Sequence, residues 1–212
     1  METFDIKWKT LLLVGPTGCG KTPLGDLLEA EELLGRHCLH FDFGRELRAS
    51  VGERSGRLTQ DERELVGELL EAGALLEDEH FPIAGKLLAG FISERNADAD
   101  SLIVLNGLPR HVGQAGAMEA AVDMRALVIL ECSPGVVWER VRTNSGGDRS
   151  ERADDTLAEV TRRLGVFRQR TMPLLEYYSA RGVPVLHLEV GAKTTAGEMR
   201  RVLEAQCSNV AF

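Results

Sequence analysis

Residues 11–22 read Leu11-Leu12-Leu13-Val14-Gly15-Pro16-Thr17-Gly18-Cys19-Gly20-Lys21-Thr22. The apolar start of this stretch predicts a buried strand, and the glycine-rich turn after it ends where a helix begins. Glycines let backbone N–H groups converge on phosphate oxygens, Lys21 brings a positive charge to the β- and γ-phosphates, and the Thr22 hydroxyl is a suitable Mg²⁺ ligand. The stretch therefore predicts a nucleoside triphosphate site over residues 15–22.

The composition favours a single domain without affinity for polyanions. A chain of 212 residues is long enough for one sizeable core and too short for a second full domain. The formal net charge of −8 argues against binding to nucleic acid or to an anionic membrane surface. Residues 1–14 carry acidic side chains and only a short apolar stretch, which is unlike a signal peptide or a membrane span.

The cysteines indicate a reducing compartment. Cys19, Cys38, Cys132 and Cys207 form no CxxC pair and no metal-binding spacing with histidine, so we expect free thiols and a cytoplasmic protein. The five histidines are scattered along the chain, and we interpret all of them as structural.

Short apolar runs alternate with helical patterns, which is typical of a parallel sheet with crossover helices. The runs predict strands at 11–14, 38–41, 102–106, 127–131 and 185–188. The helical patterns cover 23–34, 61–71, 81–95, 134–143, 156–181 and 195–205, the fifth with a bend near Pro173. Residues 42–78 and 142–153 do not fit this alternation, and we interpret them as inserts over the carboxyl edge of the sheet, where ligands bind.

The second insert and the helix after it concentrate positive charge in an acidic protein. The guanidinium group forms two hydrogen bonds to the oxygens of one phosphate and stays charged. Arginines on a glycine-containing loop are therefore typical of a lid that closes over a phosphoryl group during its transfer. The alternative is a solvated charged loop, balanced by acidic residues such as Asp154. The arginines are Arg140, Arg142, Arg149, Arg152, Arg162 and Arg163.

The order of motifs along the chain resembles the nucleoside monophosphate kinases, and adenylate kinase most of all. After the phosphate loop, residues 41–48 are similar to the family segment whose last arginine holds the acceptor phosphate, and residues 71–76 to the segment that flanks the acceptor base. The signature Asp-Gly-Phe-Pro-Arg, followed by a glutamine, is matched by Asn106-Gly107-Leu108-Pro109-Arg110 and Gln114. The end of the family's lid resembles Arg152-Ala153-Asp154-Asp155.

This resemblance implies the fold and the acceptor site. The expected fold is α/β, a three-layer α/β/α P-loop kinase domain over residues 1–212 whose five-stranded parallel sheet has the order 2-3-1-4-5. Residues 42–78 would form a small acceptor-binding helical insert, and residues 142–153 a short lid without the four metal ligands of some relatives. The resemblance assigns acceptor binding to Asp42, Phe43, Gly44, Arg48, Gly73, Leu75, Leu76, Gly107, Arg110 and Gln114, the last of these to the base.

The resemblance also implies the donor site and the reaction. Residues 15–22 would hold ATP, and Arg140 would stack on its adenine. The implied reaction is in-line transfer of the γ-phosphoryl group from MgATP to a nucleoside monophosphate, AMP first, and it needs no general base because the acceptor phosphate is itself the nucleophile. We expect a monomer, because the inserts must move freely. The implied catalytic residues are Lys21, Arg110, Arg149, Arg152 and Arg163, with Arg142 as the alternative to Arg149.

Two residues depart from the family pattern. Asn106 stands where the family has an aspartate that holds the hydration shell of Mg²⁺, so the expected metal site consists of Thr22, Asn106 acting through a water, and Asp42 as a substitute carboxylate. Phe43 stands where a threonine usually lies beside the acceptor adenine. These departures keep two alternatives open: a P-loop kinase of another small acceptor, like shikimate and gluconate kinases, or a nucleotide-binding protein with weakened catalysis.

Overall fold

The computed structural model describes residues 7–52, 56–148, 156–208 and 210. In these residues five strands form one sheet, in which every neighbouring pair is parallel and the order is β2-β3-β1-β4-β5. The expected fold class and strand order are thereby confirmed. The strands are β1 (Trp8–Val14), β2 (Cys38–Asp42), β3 (Leu102–Asn106), β4 (Val122–Glu131) and β5 (Val185–Glu189).

Helices cover both faces of the sheet and give the expected three layers. Leu11 and Leu13 of β1 belong to one apolar core, and Leu12 and Val14 belong to another, because alternate residues of a strand point to opposite faces. The described helices are α1 (Lys21–Glu31), α2 (Phe43–Gly52), α3 (Gln60–Glu71), α4 (Phe81–Glu94), α5 (Val112–Met118), α6 (Pro134–Thr143), α7 (Leu157–Val166), α8 (Pro173–Ser179) and α9 (Ala196–Cys207). Each of them is too short or too polar to cross a lipid bilayer.

The two cores differ in the helices that complete them. The first core packs α1 and α9 against the sheet, for example through Leu28 and Leu203. The second packs α4, α5 and α8 against the other face, for example through Leu87 and Leu174. Both faces of the central strands are therefore dry, and polar groups collect at the carboxyl ends of the strands.

The phosphate loop connects β1 to α1 through two left-handed glycines. Gly18 has φ 75° and Gly20 has φ 102°, a region that residues with a Cβ rarely adopt. Gly20 directly precedes α1, so the first amides of that helix open onto the loop. The predicted strand, turn and helix are all present, and the helix begins at Lys21 rather than at residue 23.

The long helix expected over 156–181 is divided into α7 and α8. Between them lies a π-helical turn, Phe167–Thr171, followed by Met172, whose amide donates to the Phe167 carbonyl at 3.0 Å. Pro173 has no N–H and occupies the first position of α8, where none is needed. The interruption therefore lies where the proline was expected to bend the helix. The extra residue of the π-helical turn rotates the side chains of α8 about the helix axis relative to those of α7.

Leu105→Ala in β3 tests the placement of the core. The Leu105 side chain is fully buried, so we expect its truncation to lower the free energy of unfolding by about 2–5 kcal/mol in urea denaturation. Val202→Ala in α9, where the side chain is 48% exposed, is the control and should change it by no more than about 0.5 kcal/mol. Equal effects of the two substitutions would contradict the described core.

Candidate active site

A cavity of about 570 Å³ opens at the carboxyl ends of β1, β2 and β3. Its walls come from the phosphate loop, the start of α2, the end of α3, and α7 with the π-helical turn. The structure therefore brings most of the expected donor and acceptor residues to one space. Those that line it are Gly15, Thr17, Gly18, Gly20, Lys21, Thr22, Asp42, Gly44, Arg48, Gly73, Leu75, Asn106, Gly107, Arg110 and Arg163.

The Lys21 ammonium group lies over the phosphate loop. Its Nζ donates hydrogen bonds to the carbonyl oxygens of Gly15 and Pro16, both at 2.8 Å. Cys19 fills the interior of the loop and is fully buried, so it does not line the cavity. The loop is therefore held in shape by its own lysine, whose charge lies at the cavity wall.

Thr22, Asp42 and Asn106 form a compact polar cluster beside the loop. The Thr22 hydroxyl donates to Asp42 Oδ2 at 2.6 Å, and Asn106 Nδ2 donates to the same carboxylate oxygen at 3.0 Å. Burial by itself raises the pKa of the Asp42 carboxyl, but the hydrogen bonds from Thr22 and from the Arg45 amide outweigh it and hold that pKa below its ordinary value. Asp42 is therefore an ionised carboxylate at the wall of the cavity.

Asn106 does not present its amide oxygen to this cluster. Its Nδ2 lies 3.0 Å from Thr22 Oγ1, 3.0 Å from Asp42 Oδ2 and 3.4 Å from His40 Nε2. Only a donor is favourable among these three acceptors, so the amide nitrogen occupies the position. The contact of Asn106 with Asp42 is therefore that of a donor, and the expected contact of its amide oxygen with a metal-bound water stays a prediction.

Arg48 and Arg110, which were expected to bind the acceptor phosphate, both line the cavity. Arg110 Nε donates to the Gly107 carbonyl at 3.0 Å, and Gly107 has φ 82° in the turn between β3 and α5. The Thr171 hydroxyl donates to the Arg110 carbonyl at 2.8 Å and so joins the π-helical turn to this segment. Two guanidinium groups thus face the cavity from different elements, as expected for a phosphate site.

Gln114 and Phe43, which were expected to contact the acceptor, do not line the cavity. Gln114 is 1% exposed, its Nε2 donates to the Leu76 carbonyl at 2.7 Å, and its Oε1 accepts from the Arg110 amide at 2.7 Å. Phe43 packs on Phe41 in the core, with ring centroids 6.1 Å apart. Leu76 is buried in the same core, so none of these expected acceptor residues lines the cavity.

Arg140 is also away from the cavity. It is 2% exposed, its Nε donates to the Gly18 carbonyl at 3.1 Å, and its Nη1 donates to the carbonyls of Gly191 and Thr194, both at 2.9 Å. The guanidinium group thus joins the phosphate loop to the connection between β5 and α9. The structure places it as a support of the loop rather than in stacking position at the cavity.

The arginines of α7 are held by one carboxylate. Glu159 Oε1 accepts from Arg163 Nε at 2.9 Å and from Arg162 Nη2 at 2.7 Å. Arg162 Nη2 also donates to the Gly73 carbonyl at 2.9 Å, which connects α7 to the end of the first insert. Arg162 lines the cavity, although no individual role was predicted for it. Its spacing of three residues from Glu159 was the available signal.

Some predicted residues are not among the described residues that line the cavity, and some lining residues were not predicted. Arg149 and Arg152 lie outside the described residues, and Arg142 is exposed at the end of α6. Pro16 does not line the cavity. The sequence reasoning missed a largely apolar group of lining residues from α2, α3 and the π-helical turn: Leu47, Leu69, Leu70, Phe167 and Thr171.

Comparisons with known proteins place this chain in a family. A family model described as an AAA domain matches residues 11–161. The chain is 32% identical over 201 residues to the adenylate kinase of Synechococcus sp. strain WH7803, covering 92% of this chain and 96% of the relative. It is 31% identical over 186 residues to the adenylate kinase of Deinococcus radiodurans, covering 83% and 86% respectively. It is 30% identical over 179 residues to the adenylate kinase of Stenotrophomonas maltophilia strain R551-3, covering 81% of this chain and 86% of the relative.

Asn106→Asp tests the orientation of the buried amide. The new carboxylate would face Asp42 Oδ2, now 3.0 Å from the amide nitrogen, so we expect the free energy of unfolding in metal-free buffer to fall by about 1–3 kcal/mol. The double variant Asp42→Asn/Asn106→Asp again pairs one amide with one carboxylate and should recover most of the loss. Asn96→Asp makes the same chemical change at an exposed turn and is the control. A single variant as stable as the wild type would contradict the described contact.

Proposed function

Because this chain belongs to the nucleoside monophosphate kinases of the adenylate kinase type, which are ATP-dependent phosphotransferases, we propose that it transfers the γ-phosphoryl group of ATP to AMP. The observation that carries this proposal is that cationic groups of the phosphate loop and of the segments expected to bind the acceptor line the same cavity. Lys21 lies on the loop side, and Arg48 and Arg110 lie on the acceptor side. Such a cavity suits two phosphate chains that meet end to end.

In this proposal each wall has its own task. The amides of residues 15–22 and the Lys21 ammonium bind the β- and γ-phosphates of ATP. Arg48 and Arg110 hold the acceptor phosphate, whose oxygen is the nucleophile, so no side chain has to remove a proton. Arg163, held by Glu159 on α7, faces the same space and would stabilise the charge on the transferring group.

The donor set beside the loop fits Mg²⁺. The Thr22 hydroxyl and the Asp42 carboxylate are both oxygen ligands, both line the cavity, and Mg²⁺ in phosphate sites takes few ligands from the protein. We assign the metal to these two residues, with Asn106 holding Asp42 in place. When bound there, Mg²⁺ would neutralise negative charge on the phosphates of the nucleotide.

The acceptor base would lie against the apolar part of the cavity. Leu69, Leu70, Leu75 and Phe167 form a wall suited to a flat ring, and the backbone beside Gly73 offers polar groups. AMP is proposed because the relatives named above are adenylate kinases. Gln114 would then support Leu76 and Arg110 rather than read the base.

The organisation of the chain around this reaction remains part of the proposal. Residues 42–78 would be the acceptor-binding insert and residues 142–153 the lid, with Arg149 or Arg142, and Arg152, completing the site on closure. We also propose that the protein acts as a monomer, so that both segments can move. Its cytoplasmic location remains a prediction from the cysteine pattern.

A screen of monophosphates tests the reaction. With MgATP and each of AMP, GMP, CMP and UMP, we expect ADP to form with AMP at a kcat/KM at least about tenfold above the others, because base contacts discriminate between acceptors. A coupled assay measures the rates. Preference for another monophosphate would overturn the choice of AMP, and no turnover with any of them would overturn the kinase reaction itself.

Arg48→Ala and Lys21→Ala test the two walls separately. Loss of a charge-assisted hydrogen bond should lower kcat/KM for the acceptor by about 10–100-fold in Arg48→Ala and leave the Kd of ATP unchanged. Lys21→Ala should abolish turnover while circular dichroism shows an intact fold. Arg201→Ala, on the exposed surface of α9, is the matched control. Weaker ATP binding in Arg48→Ala with unchanged acceptor kinetics would contradict the assignment of the walls.

A further inference from the structure

The Asp42 carboxylate belongs to a closed ring of hydrogen bonds, which we call the polar ring: Asp26, His40, Asp42, Arg45 and Asn106. Asp42 Oδ1 accepts from the Arg45 amide at 3.0 Å, and Arg45 Nη2 donates to both carboxylate oxygens of Asp26, at 3.0 and 3.1 Å. Asp26 Oδ1 lies 2.9 Å from His40 Nδ1. The ring closes through Asn106 Nδ2, 3.4 Å from His40 Nε2 and 3.0 Å from Asp42 Oδ2.

His40 occupies a space that only glycine leaves open. Its side chain is fully buried between β2 and α1, and a Cβ at residue 25 would clash with its imidazole ring. Because Gly25 has no Cβ, the imidazole ring packs directly against α1, and its Nε2 lies within hydrogen-bond distance of Asn106. Asp26, the next residue of α1, contacts the other ring nitrogen. The helix that begins at the phosphate loop therefore also holds this histidine.

The polar ring determines which atom Asn106 turns toward Asp42. The Asp26 carboxylate is an acceptor only, so Nδ1 of His40 is the donor of this pair, and in the neutral imidazole the other nitrogen, Nε2, is an acceptor. An acceptor at Nε2 favours the amide nitrogen of Asn106 on that side, and the same nitrogen then donates to Asp42 Oδ2. With the amide reversed, its oxygen would face a carboxylate and a ring nitrogen, and both contacts would be repulsive.

We propose that His40 is a positioning residue for metal binding: paired with Asp26, it fixes the Asn106 amide and thereby holds the Asp42 carboxylate at Thr22. This inference rests on the proposed role of Asp42 as a metal ligand. Replacing a residue that orients a metal-binding side chain through hydrogen bonds commonly changes metal affinity by about 10–100-fold. His40 touches neither nucleotide phosphate nor metal in this assignment, and it acts through Asn106.

The experiment measures metal affinity without any acceptor. Mn²⁺ replaces Mg²⁺ as the probe, its binding to the protein–ATP complex is followed by electron paramagnetic resonance, and ATP binding in EDTA is measured separately by calorimetry. His40→Leu should weaken Mn²⁺ binding by about 10–100-fold and change ATP binding in EDTA by less than about twofold. His40→Gln keeps an oxygen that accepts from Asn106 and should retain most of the affinity. A general packing defect would instead weaken ATP binding with and without metal.

Controls distinguish the inference from the proposed function. His187→Leu removes a second histidine–carboxylate pair, with Glu131 on the exposed edge of the sheet, and should leave both affinities unchanged. Unchanged Mn²⁺ binding in His40→Leu, together with a loss in Asp42→Asn, would overturn the role of His40 alone. Unchanged binding in Asp42→Asn would overturn the metal assignment and the inference with it. Phosphorylation of AMP enters none of these measurements.

A second variant covers the case in which His40→Leu does not fold. Asp26→Ala alters a half-exposed side chain on α1 and removes the partner of His40 Nδ1 without opening a core cavity. We expect a smaller loss of Mn²⁺ affinity in the same direction, with ATP binding in EDTA unchanged. Mn²⁺ affinity equal to the wild type in this variant would overturn the proposal.

Discussion

The hydrogen bonds of one carboxylate connect the two halves of the site. Asp42 ends β2, and α2 begins at the next residue without an intervening loop. Its Oδ1 accepts from an amide in the first turn of α2, and its Oδ2 accepts from Thr22 in the first turn of α1. Both bonds go to a charged acceptor and are therefore among the stronger ones in a protein. The position of α2, which carries Arg48, thus depends on the same side chain that contacts the phosphate-binding segment.

The arginines show how one residue type serves two purposes in this fold. Arg140 is saturated by main-chain carbonyls and stiffens the connections around the phosphate loop. Arg48, Arg110 and Arg163 instead line the cavity. Two of the carbonyls that bind Arg140 lie 51 and 54 residues further along the chain, so no local pattern indicates them. The sequence pattern therefore does not distinguish the arginines that support the phosphate loop from those that line the cavity.

Features set by local physics were predictable from the sequence. The central strands are apolar on both faces, and the phosphate loop needs glycines at fixed spacing. The sheet and its first turn therefore follow from residues 11–22 and from the alternation of strand and helix patterns after them. The inward positions of Gln114 and Phe43 depend instead on partners from other segments, such as the Leu76 carbonyl. The π-helical turn adds one residue to a helical repeat, and a search for a fixed hydrophobic period does not detect such an addition. Phe167 and Thr171 of this turn both line the cavity.

The two bonds from Lys21 to the loop carbonyls affect the thermodynamics of ligand capture. Because the ammonium group already satisfies Gly15 and Pro16, the loop has its curvature before any phosphate arrives. The entropy of ordering the loop is then lost when the chain folds and not when the nucleotide binds. An anion that draws Lys21 away from these carbonyls has to offset both hydrogen bonds, whatever its charge. The contact of the lysine with its own loop therefore lowers the affinity of every such anion by the same factor and leaves the preference among anions to the rest of the cavity.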